Sequence, residues 1–190
     1  MSNLKIFRPA IILCLICLIT TGLISLTYEL TREERELQAE NAANANRLAL
    51  FPKAEEFLPM DLPEPAPEGL LEVLMVKASD GSLLGYLISA SKRGYGGQVP
   101  VMVAVSPDGV ILGVRVLDND ETPGLGKKVE QNQFLNQFVN KSVQKPFALS
   151  IQSGDFQPID AISGATISSR AVTEAVNMAV LAFEQIKEGS

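Results

Sequence analysis

An uninterrupted apolar stretch near the start of the chain is its clearest hydropathy signal. Residues 9–28 contain no Asp, Glu, Lys or Arg. Two basic residues, Lys5 and Arg8, precede the stretch, and no acidic residue does. At about 1.5 Å per residue, a helix of this length spans roughly 30 Å, which matches a bilayer core. The pattern therefore predicts a transmembrane helix over residues 9–28, with residues 1–8 as a cytoplasmic arm under the positive-inside rule.

Two other interpretations of this stretch fit less well. A cleaved signal peptide has a shorter apolar region closed by a small-residue site, and no Ala-x-Ala site closes the apolar stretch here. A lipoprotein needs a small residue before its cysteine, whereas Ile16 precedes Cys17. Cys14 and Cys17 are expected to act as small hydrophobic residues, not as a redox pair. The chain is thus predicted to be single-pass, with its main domain outside the cytoplasm.

The pattern after the anchor predicts a stalk, a linker and one domain. Residues 29–50 favour an exposed helical stalk that frays near residues 41–46, and the prolines of residues 62–67 predict a stiff extended linker. We therefore assign residues 29–65 to the stalk and linker and residues 66–190 to the domain. Within it, alternating apolar positions predict strands at 70–77, 82–90, 99–105, 110–117 and 147–153, and helical spacing predicts helices at 127–139 and 171–187. The expected fold class is α+β, with an antiparallel sheet and flanking helices.

Composition narrows the chemistry of the domain. Outside the membrane segment the chain has no Cys, and it has no His or Trp at all. A disulfide framework, a Cys/His zinc site and a His-dependent catalytic triad are therefore excluded, and no metal site is expected. Without the arm's two basic residues, 14 basic residues face 22 acidic ones, a formal charge of −8 that disfavours nucleic acid. Redox or group-transfer chemistry would need a bound cofactor.

Three loops are candidates for holding such a cofactor. Residues 94–97 read Gly-Tyr-Gly-Gly, which lets the backbone approach a flat or charged group closely, although a flexible surface turn has the same composition. Residues 121–126 read Glu-Thr-Pro-Gly-Leu-Gly, which also suits a rigid strand–helix connection. Residues 160–169 read Asp-Ala-Ile-Ser-Gly-Ala-Thr-Ile-Ser-Ser and precede a predicted helix.

The third loop combines small residues, four hydroxyls and the start of a helix. Unpaired N–H groups and the helix dipole favour a phosphate at such a place. The simpler interpretation is a turn whose hydroxyls only cap the last helix. The residues alone leave both interpretations open.

Taken together and in this order, the three loops carry a family resemblance. Tyr95 with its glycines, the Glu-Thr-Pro-Gly-Leu-Gly loop and Asp-x-x-Ser-Gly-Ala-Thr occur in an exported, His-free domain behind one membrane helix. This arrangement resembles RnfG, the membrane-anchored FMN-binding component of the Rnf ion-translocating electron transport complex. The corresponding component of the sodium-translocating NADH:quinone oxidoreductase, NqrC, is a more distant likeness. The resemblance covers nearly the whole chain.

The resemblance implies specific roles. It implies that FMN is held covalently through a phosphoester to Thr166, placed there by a separate flavin transferase, and that the protein carries electrons with other membrane and redox subunits in the bacterial inner membrane. Asp160 would belong to the transferase's recognition sequence. The expected cofactor-binding residues are Thr166, Ser163, Gly164, Ala165, Asp160, Glu121, Thr122, Gly124, Leu125, Gly126 and Tyr95; no residue is expected to be catalytic.

Two departures and three alternatives accompany this resemblance. Asn119 stands where the family often has a His, so a role of that His in tuning the flavin does not carry over. The chain is also shorter than is usual in either family, and the difference is larger for the NqrC type, which favours the RnfG type. The alternatives are a membrane-tethered sensor that binds FMN or another phosphate ligand non-covalently, an assembly component whose hydroxyl-rich loop only caps a helix, and an NqrC-like part of the sodium-translocating NADH:quinone oxidoreductase.

Overall fold

The structure, a computed structural model, describes residues 3–151 and 154–189 in two compact units, Met1–Ala45 and Asn46–Ser190. Residues 1, 2, 152, 153 and 190, which belong to the expected arm, strand and domain, lie outside the described residues. Each unit is described by itself below.

The first unit is helical. Helix α1 spans Asn3–Leu30, and helix α2 begins at Arg32 after a turn at Thr31 and ends at Leu50, so that its last five residues, 46–50, are counted in the second unit. Within α1 the 22 residues Pro9–Leu30 have a mean hydropathy of 2.5, so this helix is long and apolar enough to cross a membrane. Residues 41–46, where the sequence predicts fraying, are helical like the rest of α2.

A five-stranded antiparallel meander forms the centre of the second unit, in the order β1-β2-β3-β4-β5. Its strands are β1 (Glu56–Pro59), β2 (Leu70–Lys77), β3 (Leu83–Arg93), β4 (Gln98–Val105) and β5 (Ile111–Val116). The four strands predicted between residues 70 and 117 are all present, because their alternating apolar residues have a buried face to occupy. The predicted α+β class is confirmed.

The start of this unit differs from the expected boundary at residue 66. Strand β1 pairs with β2 in register Glu56↔Lys77, and Phe51 is buried at 5% exposure. Phe51 packs with apolar residues on one face of the sheet, among them Leu87 and Met102. Residues that the sequence assigns to the linker thus cover that face, because its apolar side chains need a cover that the rest of the domain does not supply.

The opposite face of the sheet packs against the last helix, α4 (Thr166–Glu188). The predicted helix at 127–139 is instead a 3₁₀ turn, Gly126–Glu130, followed by a one-turn helix, α3 (Asn132–Leu135). Beyond it, β6 (Phe147–Leu149) is shorter than the predicted strand at 147–153, and it pairs in parallel with β7 (Gln157–Ile159), a strand that the sequence did not predict. The loops that follow β3, β5 and β7 meet at the first turn of α4.

Candidate functional site

A cavity of about 520 Å³ joins the three loops that the sequence singles out. Its volume lies within the roughly 300–1,000 Å³ range of small-molecule and cofactor sites. Its lining comes from the 94–97 loop, the 121–126 loop and the start of α4. The lining residues are Tyr95, Glu121, Thr122, Leu125, Gly126, Gly164, Ala165, Thr166, Ile167 and Ser168.

The first turn of α4 is open toward this cavity. The helix begins at Thr166, five residues before the predicted start, and its N-cap residue is Ala165, which offers no side-chain acceptor. The first helical bond runs from the Ser169 N–H to the Ala165 carbonyl. Within the described chain, the N–H groups of residues 166–168 have no hydrogen-bond acceptor. These donors and the helix dipole together favour an anion beside Thr166.

The four hydroxyls of this region have different environments. Ser168 and Ser169 are buried at 2% and 0% exposure. The Ser168 hydroxyl donates to Glu121 Oε2 at 2.5 Å, and the Ser169 hydroxyl donates to the Ala165 carbonyl and accepts the Ile162 N–H. Ser163 and Thr166 are exposed, and of these two only Thr166 lines the cavity. Of these four hydroxyls, that of Thr166 is therefore the one that is both exposed and part of the cavity lining.

Glu121 is buried at 1% exposure in the wall of the cavity. Its Oε1 accepts the Gly96 N–H at 2.9 Å, and its Oε2 accepts the Ser168 hydroxyl. The Glu121 N–H donates to Asn119 Oδ1 at 3.1 Å. The carboxylate thus connects residues of all three loops.

Apolar side chains surround the mouth of the cavity. Tyr95 is 73% exposed, Leu125 47% and Ile167 53%, and each comes from a different segment. Large apolar side chains left exposed around a concave site indicate a binding surface, because exposure in water costs free energy that a ligand can recover. The cavity therefore combines an apolar mouth with an anion-favouring end.

Three of the predicted residues lie outside the cavity lining. The Asp160 side chain accepts the Ser150 hydroxyl at 2.7 Å, while its backbone N–H and C=O both bond the Gln137 amide. Ser163 is exposed beside the cavity, and Gly124 sits at φ +76° with open space around it. A left-handed φ explains glycine at position 124 without any ligand contact.

Sequence reasoning missed Ile167 as a lining residue and did not anticipate that Ser168 would be buried. Both follow from the helix starting at Thr166, since residues one and two positions on then lie on adjacent faces of its first turn. The sequence offers one indication of this earlier helix start, since Ile167 is an apolar residue among hydroxyl residues. The apolar periodicity becomes regular only from residue 171, and for that reason the predicted helix starts there.

Asn119 has a clear structural role. It is buried at 7% exposure, and its amide donates to the Leu117 carbonyl and to Glu130 Oε1, both at 2.9 Å. It therefore orients the residues just before Glu121.

Comparison with protein families gives two matches that together cover most of the chain. The family model described as the FMN-binding domain matches residues 94–181, which include all three loops. The model described as the RnfG N-terminal region matches residues 1–50, the segment of α1 and α2.

Individual proteins resemble the chain over almost its full length. The G-subunit of the Na(+)-translocating ferredoxin:NAD(+) oxidoreductase complex of Acetobacterium woodii is 32% identical, over 96% of this chain and 94% of that protein. The G-subunit of the ion-translocating oxidoreductase complex of Methanosarcina acetivorans is 34% identical, over 95% and 96%. The crystal structure of Shewanella oneidensis NqrC aligns with a TM-score of 0.53 at 22% identity, over 75% of this chain and 88% of that one, which shows a shared fold.

Proposed function

The chain belongs to the RnfG family of ion-translocating oxidoreductase components, and from this premise we propose that it is an electron-carrying subunit of such a complex. Its partners are the other membrane and redox subunits of that complex. The likeness extends over both the membrane segment and the domain, so it supports a role for the whole chain.

FMN is the cofactor of this proposal, attached covalently through a phosphoester to the Thr166 hydroxyl. One observation carries it: Thr166 is exposed in the cavity, next to three N–H groups that have no acceptor in the described chain. A phosphate on this hydroxyl gains hydrogen bonds and a favourable helix dipole at once. Gly164 and Ala165 keep the approach to the hydroxyl free of bulky side chains.

The residues of the cavity fit the remainder of FMN. The apolar mouth of Tyr95, Leu125 and Ile167 offers surface for an isoalloxazine ring. Thr122, Glu121 and Gly126 also line the cavity. The flavin supplies the redox chemistry, which a domain without Cys, His or Trp does not supply itself. The chain's own residues bind the cofactor, orient it and limit its contact with water.

Localisation and maturation complete the proposal. The basic residues before the apolar part of α1 favour a cytoplasmic N-terminus, and the domain then lies on the periplasmic side of the inner membrane. A separate flavin transferase attaches the cofactor. Asp160, exposed six residues before Thr166 and outside the cavity lining, is available to that enzyme. A covalent bond suits an exported flavin, because a dissociable one would be lost by dilution.

Flavin fluorescence on a denaturing gel tests this proposal. We expect the full chain, co-expressed with an active flavin transferase and exported, to give a fluorescent band under ultraviolet light. Thr166→Ala should abolish the band, because no hydroxyl remains to form the ester. Ser82→Ala is the control: it removes an exposed hydroxyl from the turn before β3, outside both the cavity lining and the Asp160–Thr166 motif, and the band should persist.

The other outcomes identify the alternatives. A dark wild-type band, with a transferase shown to be active on another substrate, would exclude covalent attachment. Flavin that is retained in the native protein but lost on denaturation would then indicate the non-covalent sensor. Absence of flavin in both states would indicate an assembly component.

A further inference from the structure

Glu121 is the buried polar residue at which the walls of the cavity meet. Within the described chain, the hydrogen bond that joins the 94–97 loop to residues 119–126 ends on Glu121 Oε1. The hydrogen bond that joins residues 119–126 to α4 ends on Glu121 Oε2. The partners are distant in sequence, 25 and 47 residues away, so these two bonds hold together segments that the chain does not keep close.

The glycines around Glu121 leave room for its carboxylate. A Cβ atom at Gly94 would overlap Oε1, and one at Gly126 would lie 2.5 Å from Oε2 and 3.0 Å from the Ser168 hydroxyl oxygen. Real Cβ atoms essentially never come within 3.0 Å of another side-chain atom, so a side chain at either position would displace the Glu121 carboxylate; at Gly94 it would also lie 2.7 Å from Val99 Cγ2. Gly94 and Gly126 therefore leave the space that the Glu121 side chain occupies.

The backbone of Glu121 is fixed as well. Asn119 accepts its N–H and is itself tied to Leu117 and Glu130 by its amide. A carboxylate on a fixed backbone with both oxygens bonded has little freedom to turn toward a ligand. Its hydrogen bonds are directed at the protein.

We propose that Glu121 is a positioning residue: its carboxylate sets the distance between the Tyr95 loop and the first turn of α4, and thereby the fit of the flavin ring that Thr166 carries. The bond to Ser168 matters most, because Ser168 lies two residues after Thr166 in the same helical turn. This inference rests on the proposed function, since the flavin reports the geometry.

Two substitutions separate hydrogen-bond geometry from charge. In Glu121→Gln the amide oxygen can still accept the Gly96 N–H, and the amide N–H can donate to the Ser168 hydroxyl, which can turn to accept. Glu121→Ala removes both bonds, and Ser168→Ala removes one. Glu174→Gln is the matched control, because it removes an exposed acidic group from the same helix.

The experiment uses the full chain in detergent, loaded with flavin in the cell. Visible circular dichroism of the attached flavin reports a fixed asymmetric environment, and its midpoint potential is measured alongside. We expect Glu121→Ala to lower the dichroic signal several-fold and to move the potential toward that of free FMN. Ser168→Ala should give an intermediate result, while Glu121→Gln and Glu174→Gln should match the wild type.

Two results would overturn the inference: a Glu121→Ala protein with wild-type dichroism and potential, or a folded Glu121→Gln protein as impaired as Glu121→Ala. If Glu121→Ala does not fold, Ser168→Ala decides: a reduced dichroic signal with a shifted potential would support the inference, and wild-type values of both would overturn it. Failure of the proposed function is distinguishable, since the wild-type chain itself would then carry no covalent flavin.

Discussion

At the scale of single residues, the hydroxyls near α4 show how burial assigns roles to similar side chains. Thr166 is exposed in the cavity, whereas the hydroxyl of Ser169 bridges the Ile162 N–H at 3.0 Å and the Ala165 carbonyl at 2.9 Å. The amino-acid composition alone does not distinguish these hydroxyls from one another. Their environments differ because α4 starts at Thr166, and the apolar periodicity of the sequence does not locate that start.

Ser169→Ala tests the structural half of this division. The substitution leaves the partly buried Ile162 N–H without its acceptor, which costs about 1–3 kcal/mol. At about 2–4 °C per kcal/mol for a chain of this size, the thermal midpoint of the detergent-solubilised protein should fall measurably. Ser163→Ala, at an exposed site, should change it little. Equal midpoints for both variants would contradict the role given to Ser169.

At the scale of elements, the strands between residues 70 and 117 were predictable, whereas the short strands β1 and β7 were not. In β2 and β4 apolar residues recur at alternate positions, and this pattern directly indicates a strand with one buried face. Strand β7 has only three residues and contains Pro158, too short and too irregular for any periodicity. Strand β1 follows Phe51 in a proline-rich segment, and only the need to cover the sheet reveals its place.

The same limit applies to the cavity. The motifs identified the three loops, and all three line it. Which side chain faces the cavity and which supports it depended on long-range contacts, such as Glu121 to Ser168. Such contacts leave no periodic trace in the sequence.

Asn177 docks α4 onto the small parallel sheet, and its removal is a test at the scale of elements. Its amide oxygen accepts the Phe147 N–H and its amide nitrogen donates to the Phe147 carbonyl, both at 2.8 Å. Asn177→Ala should destabilise the folded protein by about 1–3 kcal/mol, because two backbone groups of β6 lose their partners. Urea unfolding of the solubilised chain measures this. Glu174→Ala, one turn earlier and exposed, serves as the control.

At the scale of the whole molecule, the cysteine distribution allows a direct test of orientation. The two cysteines lie in the apolar segment of α1, so one added outside it, as in Asp108→Cys at an exposed turn, provides a single accessible thiol. A membrane-impermeant maleimide should label this variant in intact spheroplasts, because the domain is proposed to be periplasmic. Labelling only after lysis would reverse the orientation. The unsubstituted chain is the control for background.

The uncapped start of α4 has a further consequence for assembly. In the proposed flavoprotein, the N-terminus of the helix that covers one face of the sheet has unpaired donors before the flavin is attached, and the phosphate would accept their hydrogen bonds afterwards. The cofactor then acts as the missing cap, and a capping interaction of this kind contributes about 0.5–2 kcal/mol. Loaded and unloaded proteins would thus differ in the rigidity of the first turn of α4.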